Sequence, residues 1–287
     1  MNVLRKLFSS KVSPEPIVEV AAAPVAEAEI DPRKVGYEDA VNSGWYKRET
    51  GELLEGFQIT AEDTVLDVGC GEGLATLFCA SQGAHVVFTD VETQKVQALT
   101  EKANRSKARK VEGFTSDSMP LPVADGYASR IMAMEMLEHT EKPEEILQEL
   151  VRVGKPGAQY LITVPDDRSE VLQQPFADPS YFAPPNHIQI FDKEQFSKLV
   201  EDSGLIIERH VTWGFYWVMW MSIFWSIPSE EKEGETLGLV SPPYHPALQS
   251  WANTWRELQK IQGTQPMIDA FNQALPKAQA IIARKPG

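Results

Sequence analysis

Short apolar runs alternate with amphipathic segments along most of the chain from residue 64 onward. The apolar runs predict seven strands, at residues 64–68, 85–90, 111–115, 128–134, 159–164, 205–212 and 278–284. Helices are predicted between them, near residues 74–81, 93–104, 143–153 and 193–202. Strands that alternate with helices are typical of an α/β fold, in which a mostly parallel sheet carries helices on both faces.

The N-terminal part of the chain lacks this alternation. Residues 13–31 are rich in Pro, Ala, Val and Glu without a helical or strand period, and we predict a flexible leader over residues 1–35. Leu4, Leu7 and Phe8 share one helical face, so the start of the leader is either disordered or a short helix on a membrane surface. Residues 37–57 are predicted to be helical, with aromatic and leucine side chains as apolar anchors.

An aromatic segment lies between the last two predicted strands, and no charged residue occurs from Val211 to Ser229. The part left after the strand is too short to cross a bilayer, which takes about 20 apolar residues. It is the core helix of a small cap, part of the wall for a lipidic or aromatic acceptor, or an interfacial membrane anchor. Residues 246–275 are predicted to be helical and to pack on it. Residues 213–275 would thus form a helical lid or cap, inserted before the last strand.

Composition and charge narrow the classes of partner. The chain has 287 residues, a net charge of −14 and a hydrophobic content of 43%, which suffices for a sizeable core. The negative charge argues against a broad basic surface, so a nucleic-acid partner is not expected. The two cysteines, Cys70 and Cys79, lie in one turn-helix segment and suggest no disulfide framework, which favours the reducing cytoplasm.

A glycine-rich turn follows the first strand of the sheet. Asp67 lies near the end of that strand, and Gly69, Gly71 and Gly73 lead into a helix. Glycines let backbone N–H groups approach a ligand closely, and a helix N-terminus adds partial positive charge. A dinucleotide site has the spacing Gly-x-Gly-x-x-Gly. This turn is Gly-x-Gly-x-Gly behind a carboxylate, which suits an amino-acid-bearing cofactor with an ammonium group better than a pyrophosphate.

Two further carboxylates follow the next two strands. Asp90 lies about 20 residues beyond the glycines, where a carboxylate either accepts hydrogen bonds from both ribose hydroxyls or caps the next helix. Asp117 either contacts an adenine amine or is a turn residue. Open α/β sheets bind ligands at the carboxyl ends of their strands. We therefore expect Asp67, Asp90 and Asp117 at one site.

Together, these motifs resemble those of class I S-adenosylmethionine-dependent methyltransferases. The matching segments are Val-Leu-Asp-Val-Gly-Cys-Gly-Glu-Gly (65–73), Thr-Asp-Val (89–91), Ser-Asp-Ser-Met-Pro-Leu-Pro (116–122), Met-Glu-Met-Leu-Glu-His (134–139), Lys-Pro-Gly (155–157) and Ile-Ala-Arg-Lys-Pro (282–286). The resemblance implies a Rossmann-like sheet and a methyltransferase domain made of residues 36–212 and 276–287. The segment Tyr127-Ala128-Ser129 and Gly154 depart from the usual family residues at positions that look structural.

The resemblance also implies which residues bind S-adenosylmethionine. The residues that would face its methionine part are Asp67, Gly69, Cys70, Gly71 and Gly73. The remaining assignments are Asp90 at the ribose, Asp117 and Ser118 at the adenine, and Met134 against the cofactor.

Glu135, Glu138 and His139 directly follow the fourth strand. If this segment is helical, the two carboxylates share a face and the imidazole lies beside it. His139 could then act as a general base, or the three groups could hold a divalent, Mg-like cation. A third interpretation is structural, with Glu138 as a cap of the following helix and His139 as a packed histidine.

The same segment is similar to that of ubiquinone-pathway O-methyltransferases and of small-RNA 2′-O-methyltransferases. In both, the Glu-x-x-Glu-His pattern is linked with a metal, and the second family has a further histidine downstream. His187 lies in a loosely matching position before Phe191. The resemblance thus adds His187 to the candidate metal ligands Glu135, Glu138 and His139. Glu138 and His139 are also the candidate catalytic residues.

The sequence therefore predicts an enzyme that transfers a methyl group from S-adenosylmethionine to oxygen of a small, or a lipid- or glycan-linked, acceptor. Nitrogen methylation and a non-catalytic S-adenosylmethionine-binding module are the alternatives. The expected location is the cytoplasm, with peripheral membrane contact as an open option.

Overall fold

A computed structural model describes residues 30–228 and 242–287. The first 29 residues of the predicted leader, with the proposed surface helix at Leu4, Leu7 and Phe8, lie outside the described residues. The predicted boundary of the leader at residue 35 falls inside the first helix, α1 (Pro32–Asn42). Val35 is buried there, so the end of the predicted leader is part of the folded structure.

The centre of the molecule is a seven-stranded sheet with the order β6-β5-β4-β7-β8-β10-β9. Its strands are β4 (Thr64–Val68), β5 (His85–Asp90), β6 (Lys110–Thr115), β7 (Ala128–Met134), β8 (Gly154–Pro165), β9 (Ile206–Trp213) and β10 (Ala278–Arg284). Strands β4 to β8 pair in parallel, and β10 lies antiparallel between β8 and β9. The predicted seven-stranded, mostly parallel sheet is confirmed. β8 starts earlier than predicted because Gly154 already pairs with Ala128 across an irregularity in the ladder.

Four helices cover the sheet at the predicted positions. They are α2 (Leu74–Ser81), α3 (Thr93–Asn104), α4 (Pro143–Val153) and α6 (Lys193–Asp202). Alternate residues of a strand point to opposite faces, and Leu66 and Val65 accordingly belong to two different cores. The Leu66 core includes Leu147 of α4, whereas the Val65 core includes Phe78 of α2.

The prediction of a helix over residues 37–57 is wrong after residue 42. Three short antiparallel strands follow α1, namely β1 (Trp45–Lys47), β2 (Glu52–Leu54) and β3 (Phe57–Gln58). Gly44, Gly51 and Gly56 have φ angles of 97°, 73° and 93°, a backbone conformation that turns the chain and that a right-handed helix does not contain. The aromatic and leucine side chains predicted as apolar anchors are buried as expected, but they lie in these strands and not in a helix.

The aromatic segment forms a helix in a small cap. Its helices are α7 (Phe215–Ser226), α8 (Pro246–Lys260) and α9 (Gln265–Ala274). Tyr216 and Trp220 of α7 are fully buried in one cluster with Trp255 of α8 and Val35 of α1. This packing favours the cap-core interpretation of the aromatic segment, and it makes α1 a part of the cap.

Residues 246–275 form two helices and not one. Gly263 has a φ angle of 92°, and Pro266 occupies the first turn of α9, so the chain breaks between the two. The part of the predicted lid at residues 229–241 lies outside the described residues. Within the two described ranges, no helix is both long enough and apolar enough to span a membrane.

The connection between β8 and α6 crosses the edge of the sheet at which its parallel strands end. It contains α5 (Asp167–Gln173) and a 3₁₀ turn at Pro179–Phe182. Tyr181 of this connection packs on Trp225 and Met221 of α7. The connection thereby joins the cap to the residues that follow β7.

Candidate active site

The glycine-rich turn has the open, concave backbone that its sequence predicts. Gly69, Gly71 and Gly73 all have positive φ angles, of 72°, 50° and 79°. A Cβ atom at Gly73 would lie 2.2 Å from the Leu99 side chain, whereas one at Gly71 would meet nothing within 4 Å. The turn therefore packs against the protein at Gly73 and is open at Gly71, where a ligand can approach the backbone.

Asp67 lies beneath this turn as a buried carboxylate, 3% exposed. Its only described side-chain partner is the Thr76 hydroxyl, which donates a hydrogen bond to Oδ2. Burial, together with the negative charge of Asp90, raises the pKa of Asp67 to about 6. A ligand that brings an ammonium group would supply the missing positive charge. The site thus fits the methionine part of S-adenosylmethionine.

Asp90 is fixed at the end of β5 by two backbone donors. The N–H groups of Gly71 and Glu92 each lie 2.9 Å from one of its carboxylate oxygens. Each carboxylate oxygen can accept a second hydrogen bond, so both remain able to bind ribose hydroxyls. Val91 and Met119, which are 68% and 43% exposed, follow β5 and β6 and offer apolar surface at the same edge of the sheet.

The other residues predicted to contact the cofactor have mixed roles. Asp117 makes a turn, because its Oδ1 accepts a hydrogen bond from the Met119 N–H, while the residue stays exposed. Ser118 is buried with a φ angle of 69°. Met134 is half-buried against the Val65 core, at the end of β7. Burial raises the pKa of the Cys70 thiol, which therefore lies in the turn as an uncharged, apolar group.

Tyr46 lies near Asp67 in the predicted cofactor site, although the sequence predicted it only as an apolar anchor of a helix. It is buried, has a φ angle of 51° and stacks on Tyr37 with ring centroids 5.4 Å apart. Burial and the nearby carboxylate of Asp67 raise the pKa of its hydroxyl. No local pattern reveals this placement, because it depends on how the N-terminal strands fold over β4.

Glu138, His139 and His187 meet at the end of β7. Glu138 and His139 lie in a 3₁₀ turn at Leu137–His139, and His187 comes from the β8–α6 connection. One ligand atom from each residue lies within 4.8 Å of the others. The two imidazole rings are perpendicular, with centroids 5.1 Å apart. The structure therefore brings together three of the four residues that the sequence suggested as metal ligands.

Hydrogen bonds orient both imidazoles. His139 Nδ1 lies 3.0 Å from the Pro185 carbonyl oxygen, and His187 Nδ1 lies 2.8 Å from a carboxylate oxygen of Glu170. Both partners are acceptors, so each Nδ1 donates a hydrogen bond, and in a neutral ring Nε2 is the nitrogen with the free lone pair. A carboxylate behind a histidine is the arrangement that commonly orients a metal-bound imidazole.

Glu138 is fully buried, and neither of its carboxylate oxygens has a hydrogen-bond partner among the described residues. Its Oε1 lies 3.7 Å from His139 Nε2. Burial and the charge of Glu135 raise the pKa of Glu138, and burial with the proximity of His187 lowers that of His139. Lys142, and not Glu138, is the N-cap of α4, so the predicted capping role is wrong. A buried carboxylate without a hydrogen-bond partner is costly unless it is protonated or a cation binds it.

Glu135 does not join this group. Its φ angle is 51°, so the helical face that it was predicted to share with Glu138 is not formed. Thr163 Oγ1 donates to one of its carboxylate oxygens at 3.0 Å, and Lys277 Nζ lies 3.3 Å from the other. Glu135 is therefore engaged elsewhere, and the candidate ligand set narrows to three residues.

Glu170 and Lys277 are site residues that the sequence analysis missed. Glu170 lies on α5, and Lys277 directly precedes β10. Their partners, His187 and Glu135, are 17 and 142 positions away in the chain. Neither residue lies in a motif, and only the tertiary fold brings them to the end of β7.

Comparison with known proteins supports this picture of the fold. A family model described as a methyltransferase domain matches residues 43–210, which is more than half of the chain. Methyltransferase GfsG of Streptomyces halstedii is 28% identical over 55% of this chain and 58% of its own length. A ubiquinone biosynthesis O-methyltransferase of Nitrosomonas europaea is 29% identical over 45% of this chain and 48% of its own. The chain thus spans about half the length of these curated relatives.

Solved structures show the same fold over most of the chain. The [4+2]-cyclase SpnF covers 91% of it, with 84% of its own chain aligned, a TM-score of 0.54 and 19% identity. A structure described as a putative sarcosine dimethylglycine methyltransferase of Galdieria sulphuraria covers 89%, with 85% of its own chain aligned, a TM-score of 0.52 and 16% identity. The class I S-adenosylmethionine-dependent methyltransferase family suggested by the sequence motifs is confirmed by the family model. The chain belongs to the methyltransferase domain family.

Proposed function

We propose that this protein transfers the methyl group of S-adenosylmethionine to an oxygen atom of a small, or a lipid- or glycan-linked, acceptor. We further propose that Glu138, His139 and His187 hold a divalent, Mg-like cation beside the transferred methyl group. The observation that carries the proposal is the meeting of these three side chains at the carboxyl end of β7, next to Met134.

The cofactor side is assigned residue by residue. S-adenosylmethionine supplies a methyl group on a positively charged sulfur. Asp67 would bind its ammonium group, and the open backbone at Gly71 would face its methionine part. Asp90 would accept hydrogen bonds from the ribose, and the exposed Val91 side chain would contact the adenine. Burial of Asp67 makes its charge sensitive to that ligand.

Methyl transfer to a hydroxyl oxygen of the acceptor requires removal of the hydroxyl proton. A bound divalent cation supplies a Lewis acid that lowers the pKa of a hydroxyl near it. Glu138 would contribute a buried carboxylate, and the two histidines would each contribute an imidazole nitrogen. Carboxylate ligands suit Mg²⁺ and Mn²⁺, whereas imidazole ligands suit transition metals such as Zn²⁺ and Fe²⁺, so the set as a whole fits a divalent cation.

A second candidate mechanism uses His139 as a metal-free general base. Its lowered pKa keeps the imidazole neutral near pH 7, and its Nε2 carries a free lone pair. A neutral imidazole with a free nitrogen can accept a proton from a hydroxyl. The oxygens of Glu138 favour the cation, because a base alone leaves both of these buried atoms without a polar partner.

Oxygen as the accepting atom is supported by the relatives. The curated relatives include ubiquinone biosynthesis and tocopherol O-methyltransferases, but also a norajmaline N-methyltransferase. Nitrogen methylation therefore stays the main alternative. An amine that is unprotonated in solution needs no base, so the two alternatives differ in their dependence on His139.

The cap lies on the acceptor side of the site. Trp225 of α7 packs on Tyr181, and the ring centroids of Tyr181 and His187 are 4.3 Å apart. The cap would therefore act as a lid over the acceptor, with Trp225 on the side of the site. We propose a cytoplasmic location, because Cys70 and Cys79 are both free thiols.

Two histidine variants test the proposal. His139→Ala should keep binding of S-adenosylhomocysteine, measured by calorimetry, and should lose at least about 100-fold in methyl transfer. His85→Ala is the matched control, because His85 also pairs with a glutamate at 2.8 Å but lies at the opposite end of the strands. Full methyl transfer by His139→Ala would favour nitrogen methylation. Absence of S-adenosylhomocysteine binding to the unmodified protein would refute the cofactor assignment.

A further inference from the structure

We propose that Lys277 is a positioning residue that pairs with Glu135 and keeps it out of the cation site, so that the protein supplies three ligands and not four. This inference rests on the cation proposed above. Glu135 follows β7 directly and is only three positions from Glu138, so sequence alone makes it an equal candidate.

The two glutamates differ sharply in their surroundings. Both carboxylate oxygens of Glu135 have partners, Thr163 Oγ1 at 3.0 Å and Lys277 Nζ at 3.3 Å. Both carboxylate oxygens of Glu138 are buried and have no hydrogen-bond partner among the described residues. The backbone supports this difference, because the Glu135 N–H donates to Thr163 as well, at a strained φ angle of 51°. Glu135 is thereby fastened to β8, away from the imidazoles.

Lys277 is placed to act on Glu135 as a fixed charge. Its side chain is only 15% exposed and enters from the turn before β10. Burial alone would lower the pKa of Lys277, but the surrounding Tyr181 and glutamates raise it above its usual value. The ammonium group therefore stays charged and forms an ion pair with Glu135.

The Lys277–Glu135 ion pair would set the charge of the ligands and the number of coordination positions left open at a bound cation. With Glu135 paired to Lys277, Glu138 would be the one carboxylate ligand, beside two imidazoles. A Mg-like cation prefers six ligands, so three protein ligands leave three positions for acceptor oxygens and water. Without Lys277, one carboxylate oxygen of Glu135 would lose its partner and a positive charge near the site would be gone, so a cation would bind more tightly.

Mn²⁺ binding to three variants tests this directly, read by electron paramagnetic resonance of free Mn²⁺. The double variant Glu135→Gln/Lys277→Met removes both charges and should bind Mn²⁺ within about threefold of the unmodified protein, because neither side chain is a ligand. Lys277→Met alone should bind at least about tenfold more tightly, since it removes a positive charge and frees Glu135. Lys277→Arg should restore the original affinity.

The opposite results are equally specific. Loss of more than about tenfold in the double variant would identify Glu135 as a ligand and would overturn the inference. So would an unchanged affinity in folded Lys277→Met. If Lys277→Met fails to fold, shown by its melting curve, the double variant still decides. Failure of the unmodified protein to bind Mn²⁺, while it binds S-adenosylhomocysteine, would instead refute the cation itself, before any variant is compared.

Discussion

The Nδ1 atom of His187 lies 2.8 Å from a carboxylate oxygen of Glu170. Glu170 is fully buried, and the hydrogen bond from His187 and the charge of Lys277 outweigh burial and lower its pKa, so it is ionised at neutral pH. An ionised carboxylate behind the ring fixes the proton on Nδ1 and makes Nε2 a better ligand. The geometry of the candidate cation site therefore depends on a residue that does not touch the cation.

Replacement of Glu170 tests this dependence. Glu170→Gln keeps the size of the side chain but removes its charge, so we expect Mn²⁺ affinity and methyl transfer to fall by about 10- to 100-fold. Binding of S-adenosylhomocysteine should not change. Glu208→Gln, at the far end of β9 where the partner is Arg284, is the matched control. Unchanged Mn²⁺ affinity in Glu170→Gln would contradict the orienting role.

The pH dependence of cofactor binding tests Asp67. Its pKa is raised to about 6, so the free protein holds a protonated Asp67 below that pH. Binding of an ammonium group requires the ionised form, so the affinity for S-adenosylhomocysteine should weaken by up to about tenfold per pH unit below pH 6. Calorimetry between pH 5 and 8 measures it. Methylthioadenosine, which lacks the amino-acid part, is the control and should show little change. An equal pH dependence for both ligands would contradict the assignment of Asp67.

Substitutions at two glycines of the glycine-rich turn should differ in their effects on stability and on cofactor binding. Gly73→Ala would place a Cβ atom 2.2 Å from Leu99 at a φ angle of 79°, and we expect a loss of about 2–4 kcal/mol in unfolding free energy. Gly71→Ala meets no atom within 4 Å, so the loss should be about 1 kcal/mol, from backbone strain alone. Cofactor affinity should nevertheless fall at least about tenfold in Gly71→Ala, because the methyl group occupies the open side of the turn.

Denaturant unfolding and calorimetry separate these effects. A Gly71→Ala protein that binds S-adenosylhomocysteine normally would show that the cofactor does not approach the turn at this glycine.

The buried carboxylate of Asp39 in the cap should make the stability of the protein depend on pH. It is buried between α1 and α8, and its Oδ1 accepts a hydrogen bond from Trp255 Nε1 at 2.8 Å. Burial raises the pKa of Asp39 to about 6, so its ionised form destabilises the folded protein at neutral pH. Because the folded state binds the proton more tightly than the unfolded state, stability should rise as pH falls from about 6 to about 4.

Asp39→Asn keeps an oxygen for Trp255 and removes the charge, so we expect about 1–3 kcal/mol of added stability at pH 7. Urea unfolding at pH 7 and pH 4.5 measures it. Asp269→Asn on α9 is the control at an exposed position. No gain in Asp39→Asn at pH 7 would contradict a buried, ionised carboxylate.

The sequence predicted the parts of the fold that local pattern controls. The strands and four helices of the main domain follow from apolar runs and helical spacing, and they were placed within a few residues except at the start of β8. The region after residue 42 was misread because its leucines and aromatic residues also fit a helix. The positive φ angles at Gly44 and Gly51 turn it into strands, and the sequence does not reveal which glycines adopt them.

The site was predictable where its residues belong to motifs. Asp67 and Asp90 lie at the ends of strands, Glu138 and His139 come shortly after one, and His187 was added by resemblance to a known family. Glu170 and Lys277 were missed because their roles arise from pairing between distant segments. The same pairing explains why Glu135, identical in type to Glu138, is placed outside the group.

Transfer of a labelled methyl group is the most direct measurement of the proposed function. The protein, S-adenosylmethionine labelled on its methyl group and a fractionated cell extract would be incubated with and without a chelator, and Glu138→Gln would be run in parallel. We predict label in one small-molecule, lipid or glycan fraction, as an ether that resists hydrolysis, and its loss in the chelated and the Glu138→Gln samples. Tight cofactor binding without transfer to any fraction would contradict a catalytic function and would favour a non-catalytic S-adenosylmethionine-binding module.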